Sequence, residues 1–299
     1  MTKIKYYIES FRLRTLPLSV SGIILGGMLA YAAGSFNTTV FSLALITTLC
    51  LQILSNIANE LGDTLKGTDN SDRLGPIRAL QSGALSLSDY RKMILCFILL
   101  SMISGIALIF KAFRSLLHTE SVLMLVLGGA AILAAIKYTI GKKPYGYQGW
   151  GDIAVFLFFG WLSTFGAYFL LSHSVPALLF LPASALGLLI TGVLNVNNIR
   201  DIENDSRSGK RTVPVKIGLR NARIYHGLLL LTAFTAMILF TFLQPNGLKG
   251  FLFLLSLPLF IVHFRNMWVH TGKELDPQLK FLSLSTLLFA LLSGFSQIL

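Results

Sequence analysis

Apolar residues run along this chain in long blocks, and polar residues gather in knots between them. The blocks lie near 15–33, 39–58, 93–111, 120–138, 153–172, 177–197, 224–243, 248–264 and 279–298. Most reach the roughly 18–20 residues that a helix needs to cross a bilayer core. They are continuous rather than alternating in polarity, which argues against the strands of a membrane barrel. The pattern predicts an all-α polytopic membrane protein of nine transmembrane helices. No linker divides the chain, so residues 1–299 are expected to form one domain.

Composition agrees. The chain is 54% hydrophobic and 13% charged, against about 25% charged for a soluble domain. Its formal charge of +12 would suggest nucleic acid in a soluble protein. Here topology accounts for it, and no nucleic-acid partner is expected. With a cytoplasmic N-terminus, the loops near 60–92, 137–152, 198–223 and 265–280 hold nearly all the Lys and Arg. The opposite loops hold only Lys111, Arg114 and Lys249. This asymmetry predicts a cytoplasm-facing polar side. Lys3, Lys5, Arg12 and Arg14 precede the first block as in a signal peptide, but Pro17, Gly22, Gly26 and Gly27 interrupt that block and eight more follow. The first span is therefore expected to be retained, with the basic tail serving topology or lipid headgroups. Cys50 and Cys96 lie within apolar runs and suggest no disulfide framework. Gly26, Gly27, Gly128 and Gly129 are read as close helix-packing points.

Two polar knots carry the chemistry. The first, Asn56 to Asp69, closes the second block. The second, Asn197 to Asp205, closes the sixth. Asn56, Asn59 and Asp63 stand at i, i+3 and i+7, and so do Asn198, Asp201 and Asp205. Each trio lies along one face of a helix. The shared spacing, four spans apart, suggests two helical halves facing one another.

Carboxylates at a membrane boundary need partners. Hard oxygen ligands at helical spacing suit Mg²⁺ shared with substrate phosphates. Cations follow each knot, Lys66, Arg73 and Arg78 after one and Lys210 and Arg211 after the other, and these would neutralise phosphate oxygens. Structural ion pairs and an ion or proton pathway are the alternatives. A transport pathway would place carboxylates in mid-span, and these sit at span ends. A metal-bound diphosphate above apolar helices suggests a lipid diphosphate whose ionisation gives an allylic cation, with apolar and aromatic walls excluding water. The five histidines show no metal spacing. Tyr138, Tyr145, Tyr147 and Trp150 line either an acceptor pocket or the interfacial aromatic belt.

At these residues the chain resembles the UbiA superfamily of intramembrane aromatic prenyltransferases, in its naphthoate-prenylating branch. The resemblance rests on Asn59-Glu60-Leu61-Gly62-Asp63 with Asp69 downstream and on Arg73-Leu74-Gly75-Pro76-Ile77-Arg78. It also rests on the loop from Gly141-Lys142-Lys143-Pro144 to Gly149-Trp150-Gly151-Asp152, on Asn197 to Asp205, and on Gly209-Lys210-Arg211-Thr212. Arg14-Thr15-Leu16-Pro17 fits as well. Glu60 departs from the pattern, where Asp is usual, by one methylene.

The resemblance implies a UbiA-like bundle with a cytoplasm-facing central cavity. It implies catalytic roles for Asn59, Asp63, Asp201 and Asp205, with Asp69 joining them in holding Mg²⁺. Lys66, Arg78, Lys142, Arg200, Lys210 and Arg211 would contact the diphosphate or the acceptor carboxylate. The reaction implied is transfer from a polyprenyl diphosphate to 1,4-dihydroxy-2-naphthoate with loss of CO2, giving demethylmenaquinone, in a bacterial inner membrane. Another aromatic acceptor, such as 4-hydroxybenzoate or homogentisate, is the nearest alternative.

Overall fold

Nine helices of the described residues are long and apolar enough to span a membrane. The structure is a computed structural model and describes residues 3–244 and 247–299. A short helix α1 (Lys3–Ser10) leads through a tight turn into α2 (Leu16–Ala32). Pro17 sits in the first turn of α2, where its missing N–H leaves no helical bond unmade. Next come α3 (Thr38–Leu65), α4 (Leu87–Phe113) and α5 (Thr119–Lys137). The Asn37 side chain caps α3, and a Ser86–Asp89 capping box starts α4.

The span α6 (Gly151–Ser172) contains a π-helical stretch at Phe156–Leu162, and α7 (Ala177–Arg200) follows it. A short helix α8 (Ile202–Arg207) then precedes α9 (Leu219–Phe242), α10 (Gly247–Val269) and α11 (Asp276–Ile298).

The span α7 is the most buried and packs against α6, α9 and α11, while α5 is the least buried. Leu186, Leu189 and Val196 of α7 join Phe234, Phe260 and Phe289 in the main core. Close approach of α6 to α7 depends on glycine: a Cβ on Gly160 would stand 2.6 Å from the Gly187 Cα. Gly26 packs in the same way, its Cβ position lying 2.4 Å from the Thr164 carbonyl oxygen, and Gly27 meets the Phe41 ring. Gly128 and Gly129 do not follow, because nothing lies within 4 Å of either Cβ position. Gly128 instead faces an internal cavity.

The second block extends as helix beyond its apolar part, to Leu65 rather than 58, and the third begins at Leu87 rather than 93. The reason is burial. Asn56, Glu60 and Asp63 are polar, yet they point into the protein, so a helix can continue through them.

A candidate active site where two acidic motifs meet

The ends of α3 and α8 are built alike. Asp63 stands three residues from the C-terminal cap of α3, and Gly67 follows with φ +73°. The Thr68 N–H returns to the Asp63 carbonyl at 2.9 Å, and the Gly67 N–H to that of Thr64 at 3.1 Å. At α8 the Lys210 N–H returns to the Asp205 carbonyl at 2.8 Å and the Gly209 N–H to that of Ser206 at 3.2 Å, with Gly209 also at φ +73°. Both are Schellman closures, which need a residue free of a Cβ penalty at the left-handed position. In each, the chain folds back over the aspartate that ends the trio. Asn204 then joins the two, its Nδ2 donating to the Thr68 carbonyl at 2.9 Å.

One cavity of about 380 Å³ receives both trios. Asn56, Asn59, Asp63, Asn198, Asp201 and Asp205 all line its polar end. The rest is mostly apolar, with Ile23, Leu108, Met124, Phe158 and Leu170 among its walls. The helical spacing thus brings the predicted faces together across the bundle.

Cations lie between the carboxylates. Lys210 Nζ is 3.8 Å from Asp63 Oδ1 and 3.8 Å from Asp205 Oδ1. Burial opposes its charge, but the two carboxylates outweigh burial and hold its pKa above the ordinary lysine value. Arg78 donates to both Asp63 and Asp69, and Arg73 Nε lies 3.1 Å from Asp69 Oδ1. Tyr147 donates to Asp63 Oδ1 at 2.9 Å, and Lys210 stands over its ring. Burial opposes the charge of Asp201, yet Arg200 holds its pKa below the usual carboxylate value. Asp205 is less well compensated, and burial pushes its pKa up to about 6. Its Oδ2 is buried and has no hydrogen-bond partner among the described residues.

This donor set fits a hard cation. Its ligands are carboxylate and amide oxygens, and the orphaned Asp205 oxygen is a free coordination position. Among the described residues no three His, Cys, Asp or Glu side chains converge on one point. Such an ion would therefore complete its shell with substrate oxygens and water, as Mg²⁺ commonly does.

The family comparison agrees with the geometry. The profile of the UbiA prenyltransferase family matches residues 20–292. This chain belongs to that family. A 1,4-dihydroxy-2-naphthoate octaprenyltransferase of Escherichia coli is 44% identical over 93% of this chain and 88% of its own. The Haemophilus influenzae protein of the same description is 40% identical over 97% and 94%. The fold matches a UbiA homologue from Aeropyrum pernix with a TM-score of 0.70 at 18% identity, over 93% of this chain and 96% of the other. It matches an Archaeoglobus fulgidus homologue bound to DMAPP and Mg²⁺ with a TM-score of 0.62 at 17% identity, over 96% and 98%.

In this UbiA-family chain the remaining candidate residues lie apart from the carboxylate pair. Arg200 is fully buried and does not line the cavity. It bridges Asp201, through Nη2 at 2.6 Å, to Asp276, through Nη1 at 2.6 Å. Lys66, Lys142 and Arg211 line a separate outer depression with Lys143 and Lys216. Glu60 points away from the cavity, accepting from the Leu80 N–H at 3.2 Å and from the Tyr90 hydroxyl. Tyr138 and Tyr145 line the cavity, whereas Trp150 is exposed.

Arg73, one of the cations expected beside the first knot, lines the cavity. The sequence pattern gives Asp276 no place at the site and reads Arg12 as a topology signal, although Arg12 also lines the cavity. The histidine reading missed a buried pair, with His226 Nε2 3.0 Å from His263 Nε2. Cys50 and Cys96 are free.

Proposed function

We propose that this protein transfers a polyprenyl group from an allylic polyprenyl diphosphate to 1,4-dihydroxy-2-naphthoate, with loss of CO2, to give the quinol form of demethylmenaquinone. One observation carries the reading: two facing carboxylate–cation clusters close the polar end of a cavity whose other walls are mostly apolar. That arrangement suits a charged head with an oily tail. The identity to the two octaprenyltransferases over nearly the whole chain supports the naphthoate acceptor.

In this reading Asn59, Asp63 and Asp69 of the first motif and Asp201 and Asp205 of the second would hold Mg²⁺, each motif offering no more than two carboxylates. Bound there, Mg²⁺ supplies charge neutralisation for the leaving diphosphate. Arg78 and Lys210 share their charge between those carboxylates and the diphosphate oxygens, and Arg73 reaches the same end of the cavity. Arg200 serves at one remove, fixing Asp201. Lys66, Lys142 and Arg211 attract the anionic substrates from the outer depression.

The C1–O bond of the prenyl diphosphate breaks, and its electron pair leaves with the diphosphate. The naphthoate ring carbon bearing the carboxylate bonds to C1. The carboxylate then departs as CO2, and its bonding pair restores the aromatic ring. The apolar walls keep water from the allylic cation. The excess of Lys and Arg on the loops around the site supports a cytoplasm-facing active site in a bacterial inner membrane.

The test is an assay of the purified protein in liposomes with a polyprenyl diphosphate and 1,4-dihydroxy-2-naphthoate, 4-hydroxybenzoate or homogentisate. A lipid-soluble prenylated quinol and CO2 from the naphthoate, lost on chelation of Mg²⁺, are expected. Product from one of the other acceptors alone would replace the naphthoate reading.

A further inference from the structure

Five cations line the main cavity: Arg12, Arg14, Arg73, Arg78 and Lys210. Four have carboxylate partners. Arg14 pairs with Asp276, Arg73 with Asp69, Arg78 with Asp63 and Asp69, and Lys210 with Asp63 and Asp205. Among the described residues Arg12 makes no ion pair, and its Nη2 is buried without a hydrogen-bond partner. The charges around it include Arg78 and Arg73 as well as Glu60 and Asp63. Arg12 is partly buried, and none of these carboxylates reaches its guanidinium at ion-pair distance, so its desolvated Nη2 lacks a direct anionic partner.

Its backbone is also unusual. Arg12 sits between α1 and α2 with φ 51° and ψ 60°, a left-handed conformation that a residue with a Cβ seldom adopts. Surrounding bonds hold it there. The Arg12 carbonyl accepts from the Thr15 N–H and from the Thr15 hydroxyl, each at 2.9 Å. The preceding carbonyl, of Phe11, accepts from Asn56 Nδ2 at 2.9 Å. Strain of this kind, fixed by its surroundings, is a feature of functional positions.

The same wall offers an unpaired acceptor. The Phe11 carbonyl can only accept, so Asn56 must turn its amide nitrogen toward it. Asn56 Oδ1 therefore faces Gln52, whose Nε2 donates to it at 3.2 Å. This fixes Gln52 Oε1 as the free end, and that atom is buried with no partner among the described residues. Gln52 lines the cavity beside Thr15 and Asn56. One wall thus presents an unpaired cationic donor and an unpaired neutral acceptor, both outside the paired carboxylate clusters.

We propose that Arg12 and Gln52 form the subsite of the aromatic acceptor, Arg12 taking its carboxylate and Gln52 Oε1 accepting from a ring hydroxyl. This rests on the proposed function above. The acceptor supplies both partners, because 1,4-dihydroxy-2-naphthoate carries a hydroxyl on the carbon next to its carboxylate. The diphosphate is less suited to this wall: it offers no ring hydroxyl, and its cations already cluster around Asp63, Asp69 and Asp205.

The experiment compares 1,4-dihydroxy-2-naphthoate with 1,4-naphthalenediol, which lacks the carboxylate, in wild type, Arg12→Gln, Arg12→Lys and Gln52→Leu in liposomes. Loss of one charge-assisted contact predicts that Arg12→Gln raises the KM for the naphthoate about 30-fold. The KM for the prenyl diphosphate stays within about twofold of wild type, because a separate set of side chains binds it. Wild type prefers the naphthoate to the diol by a similar factor, and Arg12→Gln loses that preference. Arg12→Lys recovers part of it. Gln52→Leu raises the KM of both acceptors several-fold.

A rise in the prenyl diphosphate KM instead would assign Arg12 to the diphosphate and overturn the proposal. So would an equal loss with both acceptors, or a wild type that uses the diol as well as the naphthoate, a comparison that needs no variant to fold. Failure of the wild type to prenylate the naphthoate at all overturns the proposed function, and this assignment with it.

Discussion

The amide of Asn204 donates to the carbonyl of Thr68 across 2.9 Å, tying the turn after the first acidic motif to the helix that carries the second. Both residues are buried. The bond fixes the separation of Asp63 and Asp205, whose shared partner is Lys210.

Asn204→Ala should therefore loosen the two motifs without removing a carboxylate. The expected loss of stability is about 1 kcal/mol, the net value of one such bond. The KM for prenyl diphosphate should rise several-fold. Asn204→Asp should be worse than alanine, because a carboxylate oxygen would face the Thr68 carbonyl and join an already acidic cluster. Thermal unfolding and initial rates check the order of the three proteins.

Asp205 gives the site a pH dependence. Its pKa is raised to about 6 in the fold by burial. Between the ordinary carboxylate value and about 6, the folded state binds more protons than the unfolded one. The contribution of this group to metal-free stability thus increases as pH falls through about 6. Cation binding runs the other way, since the ligand must be ionised. Mg²⁺ with a prenyl diphosphate analogue should raise the melting temperature clearly at pH 7.5 and much less at pH 5. In Asp205→Asn that difference between the two pH values should shrink. An equal Mg²⁺ effect at both pH values in wild type would contradict the role of Asp205.

The legible parts of this site are those that depend on local periodicity. Asn56, Asn59 and Asp63 repeat at helical spacing, so their shared face could be read before any fold was known. The same holds for Asn198, Asp201 and Asp205, although a turn at Asp201 interrupts the helix between them. The true end of α3 was less legible: the apolar run stops at 58, whereas the helix closes at Gly67, where a left-handed cap favours glycine. Pairings between distant segments were not legible. Arg200 meets Asp276 from 76 residues away, and no local pattern announces it. Arg12 looked like part of a basic tail because its left-handed turn is imposed by Thr15 and Asn56. Gly128 and Gly129 looked like packing glycines because sequence cannot distinguish a helix face that meets a neighbour from one that borders a cavity, as Gly128 does, or that faces outward, as Gly129 does.

Glu60 follows from helix phase. It comes one residue after Asn59, and a turn of about 100° per residue takes it away from the cavity face. There it anchors the segment between α3 and α4 through the Leu80 N–H and joins α4 through Tyr90, whose hydroxyl also lies 2.7 Å from Ser10 Oγ. Glu60→Gln keeps an acceptor in place and should retain most activity. Glu60→Ala leaves the Leu80 N–H and the Tyr90 hydroxyl without their partner. A stability loss of about 2 kcal/mol is expected, from desolvated groups left unpaired. Turnover per folded molecule should fall less than in Asp63→Ala. Equal loss of turnover in Glu60→Ala and Asp63→Ala, with both proteins folded, would place Glu60 in the chemistry.

Asp276 holds two arginines. Arg200 meets it at 2.6 Å and Arg14 at 3.3 Å, while Arg200 itself is wholly buried and also bonded to Asp201. Removing the carboxylate in Asp276→Ala leaves Arg200 with one anion and Arg14 with none. Breaking a fully buried pair costs about 3–5 kcal/mol; Asp276 is partly exposed, so about 2–3 kcal/mol is expected here. Activity should fall as well, because the freed guanidinium can draw Asp201 out of line with Asp205. Adding Arg200→Met to Asp276→Ala should recover part of the stability, since an apolar side chain replaces the uncompensated charge. It should recover no activity, since Asp201 then loses the cation that keeps it ionised. Thermal unfolding in detergent and liposome turnover of the single and double variants separate these two effects, and a double variant less stable than Asp276→Ala would show that Arg200 needs no second anion.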